Sequence, residues 1–331
     1  MSEGPIFIAG LERSGTSLIF ALLASHPRIA MTRRTNLWTY FYNQYGDLGI
    51  AENFDRCLKM MLRYKRLVPL KLDPDRIRLE FWRGETSYAR LFTIIEEHYA
   101  ERMGKPRWGD KSLNTERYAD PIFESYPTAK ILHMIRDPRD RYASALTRWK
   151  VNRGGVGAGT AVWLQSMRLA NRNLRLYPDN YKIIRYETLA FQPEETLGEI
   201  CAFIGEEYSP NMLAMDGAES FRDEGGNSSY GQLEPGHIST KSIGRFKTVM
   251  SKRQIEFMQT FAKPDMLALS YPLEPVQLSF ADRLRYTTID LPVNLVRMQI
   301  WSFVEAYRNR TGRSLPSYRI VQEVQTTNAG S

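Results

Sequence analysis

The sequence predicts an α/β fold in which a parallel sheet is flanked by helices and followed by a helical C-terminal appendage. Apolar strand patterns at residues 5–10, 129–135 and 181–185 are each followed by a helical pattern. Strand, helix and strand at this spacing indicate crossover connections, which join parallel strands.

Helical patterns extend over residues 15–25, 51–67 and 86–103. In the first of these, Leu18 and Leu22 belong to one apolar face, and a His-Pro pair ends the pattern. A buried strand followed directly by an amphipathic helix is the repeating unit of parallel sheets.

The chain divides into an α/β domain over residues 1–275 and a basic helical extension over 276–331, packed on the domain or trailing it. A helix is predicted near residues 295–307 of the extension, and residues 216–241 form a long loop rich in Gly, Ser, Asn and Asp. The arginines that make the extension basic are Arg283, Arg285, Arg297, Arg308, Arg310 and Arg313.

Composition limits the classes of function. The chain has 331 residues, two cysteines, four histidines and a net charge of +8. No pair of histidines or cysteines has metal-ligand spacing, so no metal site is expected. The first strand begins almost at Met1 and no apolar run reaches the ~20 residues of a membrane span, which predicts a cytoplasmic protein without a transmembrane segment. The positive charge suits an anionic ligand, but a solvated surface explains it equally well.

The most informative motif reads GLERSGTS at residues 10–17, between the first strand and the first helix. Two glycines separated by four residues form the framework of a phosphate-binding P-loop. We expect Ser14, Gly15, Thr16 and Ser17 to hold a phosphate through main-chain amides at the helix N-terminus. A nucleoside-triphosphate P-loop has lysine where Thr16 stands, and here the cation is Arg13 instead. Glycines that serve packing alone remain the alternative.

A second strand-to-helix junction lies at residues 129–144. Arg136 ends the strand, and Ser144 follows in the helix after the turn. Arginine offers a planar fork for a phosphate, and serine adds a neutral donor. Pro138 suits the first helical turn with Asp137 as its N-cap. The junction therefore predicts a second anion site.

With both motifs, the sequence resembles the superfamily of sulfotransferases that use 3′-phosphoadenosine 5′-phosphosulfate (PAPS), particularly the bacterial branch related to tyrosylprotein and heparan sulfotransferases. Residues 13–17 match its 5′-phosphosulfate motif and residues 136–144 its 3′-phosphate motif. Further similarity covers residues 108–112, 185–189 and 199–205, in the family's order.

The resemblance implies a P-loop-type sheet, PAPS as the sulfuryl donor and adenosine 3′,5′-bisphosphate as its product. Arg136 and Ser144 would bind the 3′-phosphate, with Tyr186 near the adenosine. Lys111 would face the transferring group from the acceptor side. The late loop with Lys241 and Ser242 would close over the nucleotide. A core position for Tyr186, and a solvated one for Lys241, remain alternatives.

The chain departs from the family at the general base. Related glycan and tyrosylprotein enzymes carry a glutamate shortly after the His-Pro pair, and this chain has none there. We consider Asp110 and Glu85 as candidates, because a base speeds such transfers by ~10²–10⁴-fold. Glu85 is equally a routine first-turn residue of a helix. Arg33 and Arg34 lie where the acceptor should approach, and we hypothesise that they bind an anionic acceptor.

The function predicted from the sequence is metal-independent, in-line transfer of a sulfuryl group to a hydroxyl or amine. The expected acceptor is a small molecule such as a phenol or a secondary metabolite, a glycan or a lipid, with a peptide tyrosine also left open, and the sequence does not indicate the oligomeric state. The alternatives are a P-loop kinase and a non-catalytic nucleotide-binding or membrane-peripheral protein. Nucleic acid is not an expected partner, because the arginines of the extension form no one-sided helical stripe.

Overall fold

The computed structural model describes residues 3–148, 154–218 and 238–311. Its centre is a five-stranded parallel sheet with the strand order β2-β3-β1-β4-β5. The predicted fold class is confirmed, since helices cover both faces of this sheet. The strands are β1 Ile6–Gly10, β2 Ile29–Arg33, β3 Arg107–Lys111, β4 Lys130–Ile135 and β5 Tyr181–Arg185.

Strands β2 and β3 were not predicted. The β3 sequence is RWGDK, and all five of these residues are buried. Arg107 is satisfied inside the protein by the main-chain carbonyls of Gly4 and Ile204 and by the Glu206 carboxylate. Charged residues in a strand do not show the apolar pattern of a buried strand, so tertiary partners decide this element.

Two apolar cores lie on opposite faces of the sheet. On one face, Ile6 and Ile8 of β1 pack with α1, α8 and α9. On the other, Phe7 packs with α2, α3, α4 and α5. Neighbouring residues of a strand point to opposite faces, so each face can be identified from the strand register. The helices are α1 Thr16–Ala24, α2 Ala51–Arg63, α3 Pro74–Phe81, α4 Tyr88–Arg102, α5 Ala119–Ser125, α6 Pro138–Arg148, α7 Gly155–Leu176, α8 Tyr186–Phe191 and α9 Pro193–Ile204.

The described part of the C-terminal extension packs on the rest of the chain. Its last helix lies along α7, and Gly157 of α7 approaches it so closely that a Cβ there would lie 2.2 Å from the Asn294 carbonyl oxygen. Glu305 is buried and forms ion pairs with Arg117 and Arg308. The boundary at residue 275 stays a prediction. These elements are α10 Phe246–Val249, α11 Lys252–Ala268, α12 Phe280–Arg285, a π-helix Tyr286–Asp290 and α13 Leu291–Thr311.

Several predicted bounds need correction. The helix predicted over residues 51–67 ends at Arg63, because Tyr64 has an extended backbone. The helix predicted over 86–103 begins at Tyr88, after the N-cap Ser87. Most of the loop predicted over 216–241, and Arg313 of the extension, lie outside the described residues. Within the described part of the chain, no helix has the length and apolar character that crossing a bilayer requires.

Candidate active site

The phosphate loop has the backbone conformation that the sequence motif predicts. Gly15 is the N-cap of α1 with φ 93°, and Arg13 has φ 72°. The amides of Thr16 and Ser17 belong to the first helical turn, where no intrahelical carbonyl is available to them. A Cβ on Gly15 would lie 2.5 Å from Cδ2 of Tyr186. Glycine is therefore required both by the conformation and by the close approach of Tyr186.

A buried carboxylate that the sequence did not reveal supports the start of this loop. The Gly10 amide donates to Oε2 of Glu116 at 3.1 Å, and Glu116 is 2% exposed. Ser166 of α7 lies 3.5 Å from the other carboxylate oxygen and 3.1 Å from Nε2 of His133. Burial lowers the pKa of His133, which favours the neutral ring. This network of hydrogen bonds holds Gly10, the first residue of the loop, in place.

The two predicted anion sites are joined by a direct contact. Arg13 in the phosphate loop donates from Nε to Oγ of Ser144 in α6 at 2.9 Å. Arg136 at the end of β4 donates from Nη1 to the Arg13 carbonyl oxygen at 3.4 Å. Strands β1 and β4 are neighbours in the sheet, so their carboxyl ends bring the two motifs to one edge. Residues predicted separately therefore form one cationic cluster.

Arg136 is held by the side chains and backbone that the sequence analysis assigned to the nucleotide. Its Nη2 donates to the Ser242 carbonyl oxygen at 2.7 Å, and its guanidinium lies 4.5 Å from the centre of the Tyr186 ring. Tyr186 OH and Ser242 Oγ are 2.8 Å apart. Lys241, next in the chain, is exposed.

Arg136 carries a buried polar atom that the described residues leave without a partner. Nε of Arg136 is buried and has no hydrogen-bond acceptor among the described residues. A buried guanidinium N–H without an acceptor is costly, and a phosphate oxygen would satisfy it. The site therefore suits one phosphate group or a similar anion, and main-chain amides of the loop are available for another.

Lys111 lies at the carboxyl end of β3 and is 1% exposed. It pairs in register with Ile8 of β1 and Arg33 of β2, and its side chain shares the α1 face of the sheet with them. Arg33 donates from Nη2 to Oγ of Ser17 at 3.3 Å. Burial, and then the charges of Arg34 and Arg33, lower the pKa of Lys111 to about 7. A lysine with a neutral fraction at physiological pH thus lies beside the phosphate loop.

Arg141 is a further cation that the sequence analysis did not single out, although it lies inside the second motif. It is buried, and it donates from Nη1 to the Glu12 carbonyl oxygen and from Nη2 to the Gly159 carbonyl oxygen, both at 3.3 Å. Burial lowers its pKa to about 10, and its buried Nε has no acceptor in the described ranges. Arg141 therefore adds charge behind the loop.

Asp110 lies on the opposite face of β3 from Lys111. Its Oδ1 accepts from Oγ1 of Thr35 at 2.8 Å and lies 3.1 Å from Oγ1 of Thr32, and burial raises its pKa. Oγ1 of Thr32 also lies 3.0 Å from Oε1 of Glu96 in α4. The structure thus places Asp110 in a buried carboxyl pair, away from the cationic cluster. Its role as a base stays an untested prediction.

Glu85 is exposed and precedes α4, so it is not the first-turn residue that the sequence suggested. Ser87 begins the helix instead, with Oγ accepting from the Arg90 amide at 3.1 Å. The neighbouring Tyr88 hydroxyl accepts from the Tyr45 amide, remote in sequence from the phosphate loop. The described contacts do not bring Glu85 into the cluster, and its catalytic role also stays a prediction.

Similar proteins identify the family of this chain. The model described as "Sulfotransferase family" matches residues 5–210. A protein-tyrosine sulfotransferase of Drosophila melanogaster is 24% identical over 219 residues, which are 63% of this chain and 39% of that protein. Protein-tyrosine sulfotransferase A of Caenorhabditis elegans is 25% identical over 63% of this chain and 51% of its own length. An uncharacterised protein of Aquifex aeolicus is 27% identical over 61% of this chain and 25% of that protein. The chain thus spans between a quarter and about half of these relatives.

Solved structures share the fold. The sulfotransferase domain from the curacin biosynthetic pathway superposes with a TM-score of 0.53 at 20% identity, over 82% of this chain and 99% of that domain. The sulfotransferase domain of the olefin synthase of Synechococcus PCC 7002 gives a TM-score of 0.51 at 21% identity, over 79% and 96%. The family match covers most of the chain, including both phosphate motifs, and confirms the resemblance inferred from them: the chain belongs to the sulfotransferase family.

Proposed function

We propose that this protein transfers a sulfuryl group from PAPS to a hydroxyl or amine of an acceptor. The observation that carries the proposal is the hydrogen bond from Arg13 Nε to Ser144 Oγ at 2.9 Å. This bond joins a main-chain phosphate site to an arginine phosphate site at one edge of the sheet. A single nucleotide phosphorylated at both ends of its ribose is the ligand that such a pair of sites suits.

The residues of the cluster divide the binding between them. The amides at residues 15–17 and the Arg13 guanidinium would hold the 5′ end of the donor, which supplies an activated sulfuryl group on a phosphate. Arg136 and Ser144 would hold the 3′-phosphate, with Tyr186 and Ser242 beside the adenosine. Preorganised cations around the reacting group stabilise the charge that develops there, which is the main catalytic contribution expected in such transfers.

Lys111 is the residue that we assign to the proton of the acceptor. It lies on the same sheet face as the phosphate loop, and a pKa of about 7 leaves a substantial neutral fraction at physiological pH. A neutral amine can accept the proton of an incoming hydroxyl, and a base with a pKa near the working pH is the most effective. Asp110 and Glu85 stay predictions as general bases, but of the three residues Lys111 is the best placed to take the acceptor's proton.

The acceptor itself is proposed to carry negative charge. Arg34 directly follows β2 with φ 61°, is half-buried and has its amide bonded to the Lys111 carbonyl oxygen at 2.7 Å. It therefore lies next to the proposed base. Arg33 instead reaches Ser17 and the ring of Phe20, which assigns it to the donor side. Arg34→Ala should raise the KM of an anionic acceptor and weaken its salt dependence, and unchanged values would remove this part of the proposal.

Calorimetry followed by single-turnover chemistry tests the proposed function. Adenosine 3′,5′-bisphosphate should bind without added metal and much more tightly than ATP with magnesium. Sulfur-35-labelled PAPS incubated with excess enzyme should transfer its label to members of a panel of sugars, phenols and acidic lipids. Arg175→Ala, which removes an exposed arginine of α7, is the matched control and should bind like the parent chain. Tighter binding of ATP with magnesium would instead indicate a kinase.

A further inference from the structure

The C-terminal helix leaves one apolar face uncovered. Six large side chains of residues 289–307 are between 41% and 74% exposed, and they recur at steps of four, three, four, three and four residues. We call this row the 289–307 seam. The opposite face of the same helix packs along α7 and includes Leu291, Met298 and the buried Glu305. The seam consists of Ile289, Val293, Val296, Ile300, Phe303 and Tyr307.

The row continues beyond α13 in the N-terminal direction. Phe280 is 85% exposed and Leu284 is 55% exposed, and both lie in α12. The step from Leu284 to Ile289 is five residues, which matches the wider i→i+5 turn of the π-helix that lies between α12 and α13. Backbone angles at both junctions are helical, so residues 280–311 form one continuous rod with an apolar edge.

The spacing identifies the kind of surface that the seam fits. Alternating steps of three and four residues form a stripe one residue wide, which is the pattern of a helix–helix interface and narrower than the face of a membrane-surface helix. The positions flanking the stripe are Asp290, Arg297 and Val304 on one side and Pro292, Gln299 and Ala306 on the other. Asp290 is paired with Arg253. Among these six positions only Asp290 and Arg297 are charged, with opposite signs, and Arg308 further along the helix is paired with Glu305.

We propose that the 289–307 seam is a dimer interface, in which the seam of a second copy of this chain packs against it about a two-fold axis. A seam of alternating three- and four-residue steps is self-complementary, because each side chain inserts between those of an identical helix. The domain lies on the opposite side of the helix, so the two bodies do not obstruct each other.

The area agrees with this occupant. A fully exposed aromatic side chain presents about 150–250 Å² and an aliphatic one somewhat less, so at exposed fractions between 41% and 85% the eight apolar residues present on the order of 800–1,000 Å². This exceeds the ~300–600 Å² of the largest apolar patch on a typical monomer. It matches the ~800 Å² that each partner contributes to a stable dimer.

Sedimentation equilibrium of the full chain at micromolar concentration tests the dimer. The parent chain should have twice the mass of one chain, and Ile300→Glu should be monomeric, because a pair of buried carboxylates would face each other across the seam. Phe191→Glu is the matched control, since Phe191 lies in α8 and is 63% exposed but outside the seam. It should remain dimeric, and circular dichroism of both variants should show unchanged helix content.

Three outcomes would overturn the proposal. One is a parent chain that is monomeric at tens of micromolar. Another is a dimer that Ile300→Glu leaves intact. The third is a monomeric parent chain that binds phosphatidylserine vesicles while Ile300→Glu does not, which would assign the seam to a lipid surface. The proposal is independent of the sulfuryl transfer, since Ile300 lies outside the cationic cluster.

Discussion

Strands β2 and β3 present two chemically opposite environments on their two faces. Towards α1 the two strands carry Arg33 and Lys111, which lie beside the phosphate loop. Towards α4 they carry Thr32 and Asp110, which meet the fully buried Glu96. Arg33 follows Thr32 directly in β2, and Lys111 follows Asp110 directly in β3. Successive side chains of a strand point to opposite faces, so the two environments are kept apart.

Burial drives both environments towards neutrality, with different consequences. It lowers the pKa of Lys111 to about 7 and raises the pKa of Glu96 well above its ordinary value. The cationic face adjoins the loop amides and the buried Nε atoms of Arg136 and Arg141, which have no acceptor among the described residues. An anionic ligand bound there would favour the protonated form of Lys111. On the carboxyl face, the hydroxyls of Thr32 and Thr35 contact the two carboxyl groups, and the raised pKa values of Glu96 and Asp110 favour their uncharged, protonated forms. We therefore propose that the cationic face binds the ligand and carries out the chemistry, and that the carboxyl face supports the fold.

The largest effect is expected from Lys111→Met. If Lys111 takes the acceptor's proton, the single-turnover transfer rate should fall by about 10²–10⁴-fold. The affinity for the bisphosphate should change little, because the proposed phosphate ligands are Arg136, Ser144 and the loop amides. A rate that stays within about threefold of the parent would move the base to another residue, and Asp110→Asn and Glu85→Gln would then be tested in the same assay.

Arg136→Ala should weaken bisphosphate binding by at least about 100-fold, since the side chain offers charge-assisted hydrogen bonds of about 1.5–3 kcal/mol each. Calorimetry measures the loss, with Arg175→Ala as the control of equal charge change. Arg136 also contacts Tyr186 and Ser242, so thermal unfolding of the variant should be recorded alongside. A dissociation constant close to that of the parent would contradict the assignment of the 3′-phosphate to this pocket.

The free energy of unfolding should depend on pH through the lowered pKa of Lys111. Its pKa falls from the ordinary 10.5 to about 7 on folding. Between these values the unfolded chain binds a proton that the folded chain does not, so the free energy of unfolding rises with pH by up to about 1.4 kcal/mol per unit. Lys111→Met should lose this contribution. Urea unfolding of both chains at pH 7 and pH 9.5 measures the difference, and equal pH dependence would contradict it.

On the carboxyl face, Asp110→Asn should destabilise the protein by about 1–3 kcal/mol. The hydroxyls of Thr32 and Thr35 both donate to Oδ1, which the amide keeps, but the amide puts an NH₂ donor in the place of Oδ2 inside the buried carboxyl pair. Urea unfolding at pH 7 checks the value. A variant as stable as the parent would show that this donor finds an acceptor.

Glu96→Gln should have the smallest effect, below about 1 kcal/mol. Burial and the nearby Asp110 raise the pKa of Glu96 well above its ordinary value, which favours the neutral carboxyl group, and the neutral amide has a similar shape. The same urea experiment compares it with Asp110→Asn. A loss of unfolding free energy larger than that of Asp110→Asn would contradict this expectation, and would show that the fold depends more on the Glu96 carboxyl group than on that of Asp110.

The sequence predicted those parts of the molecule whose local pattern matches their environment. The strand at residues 181–185 was predicted with the observed bounds, and the conformation of Gly15 follows from the motif. Strand β3 escaped prediction because Asp110 and Lys111 are charged and are buried by partners from other elements, α4 and β2, which the local pattern of β3 does not reveal. Glu116 escaped for the same reason. A single glutamate forms no recognisable sequence pattern, and only folding of the chain brings Glu116 to Gly10.

The long sequence separations at this site link ligand binding to folding. Gly10 and Glu116 are 106 residues apart, and Arg13 and Ser144 are 131 apart. A ribosome would have to release most of the domain before the loop acquired its supports, so the nascent chain should gain affinity late in synthesis. Conversely, the bisphosphate at 100 times its dissociation constant would add about 2.7 kcal/mol to the stability of the finished chain. The ligand would act as a specific folding aid for the chain up to Ser242, the last residue that we assign to its site.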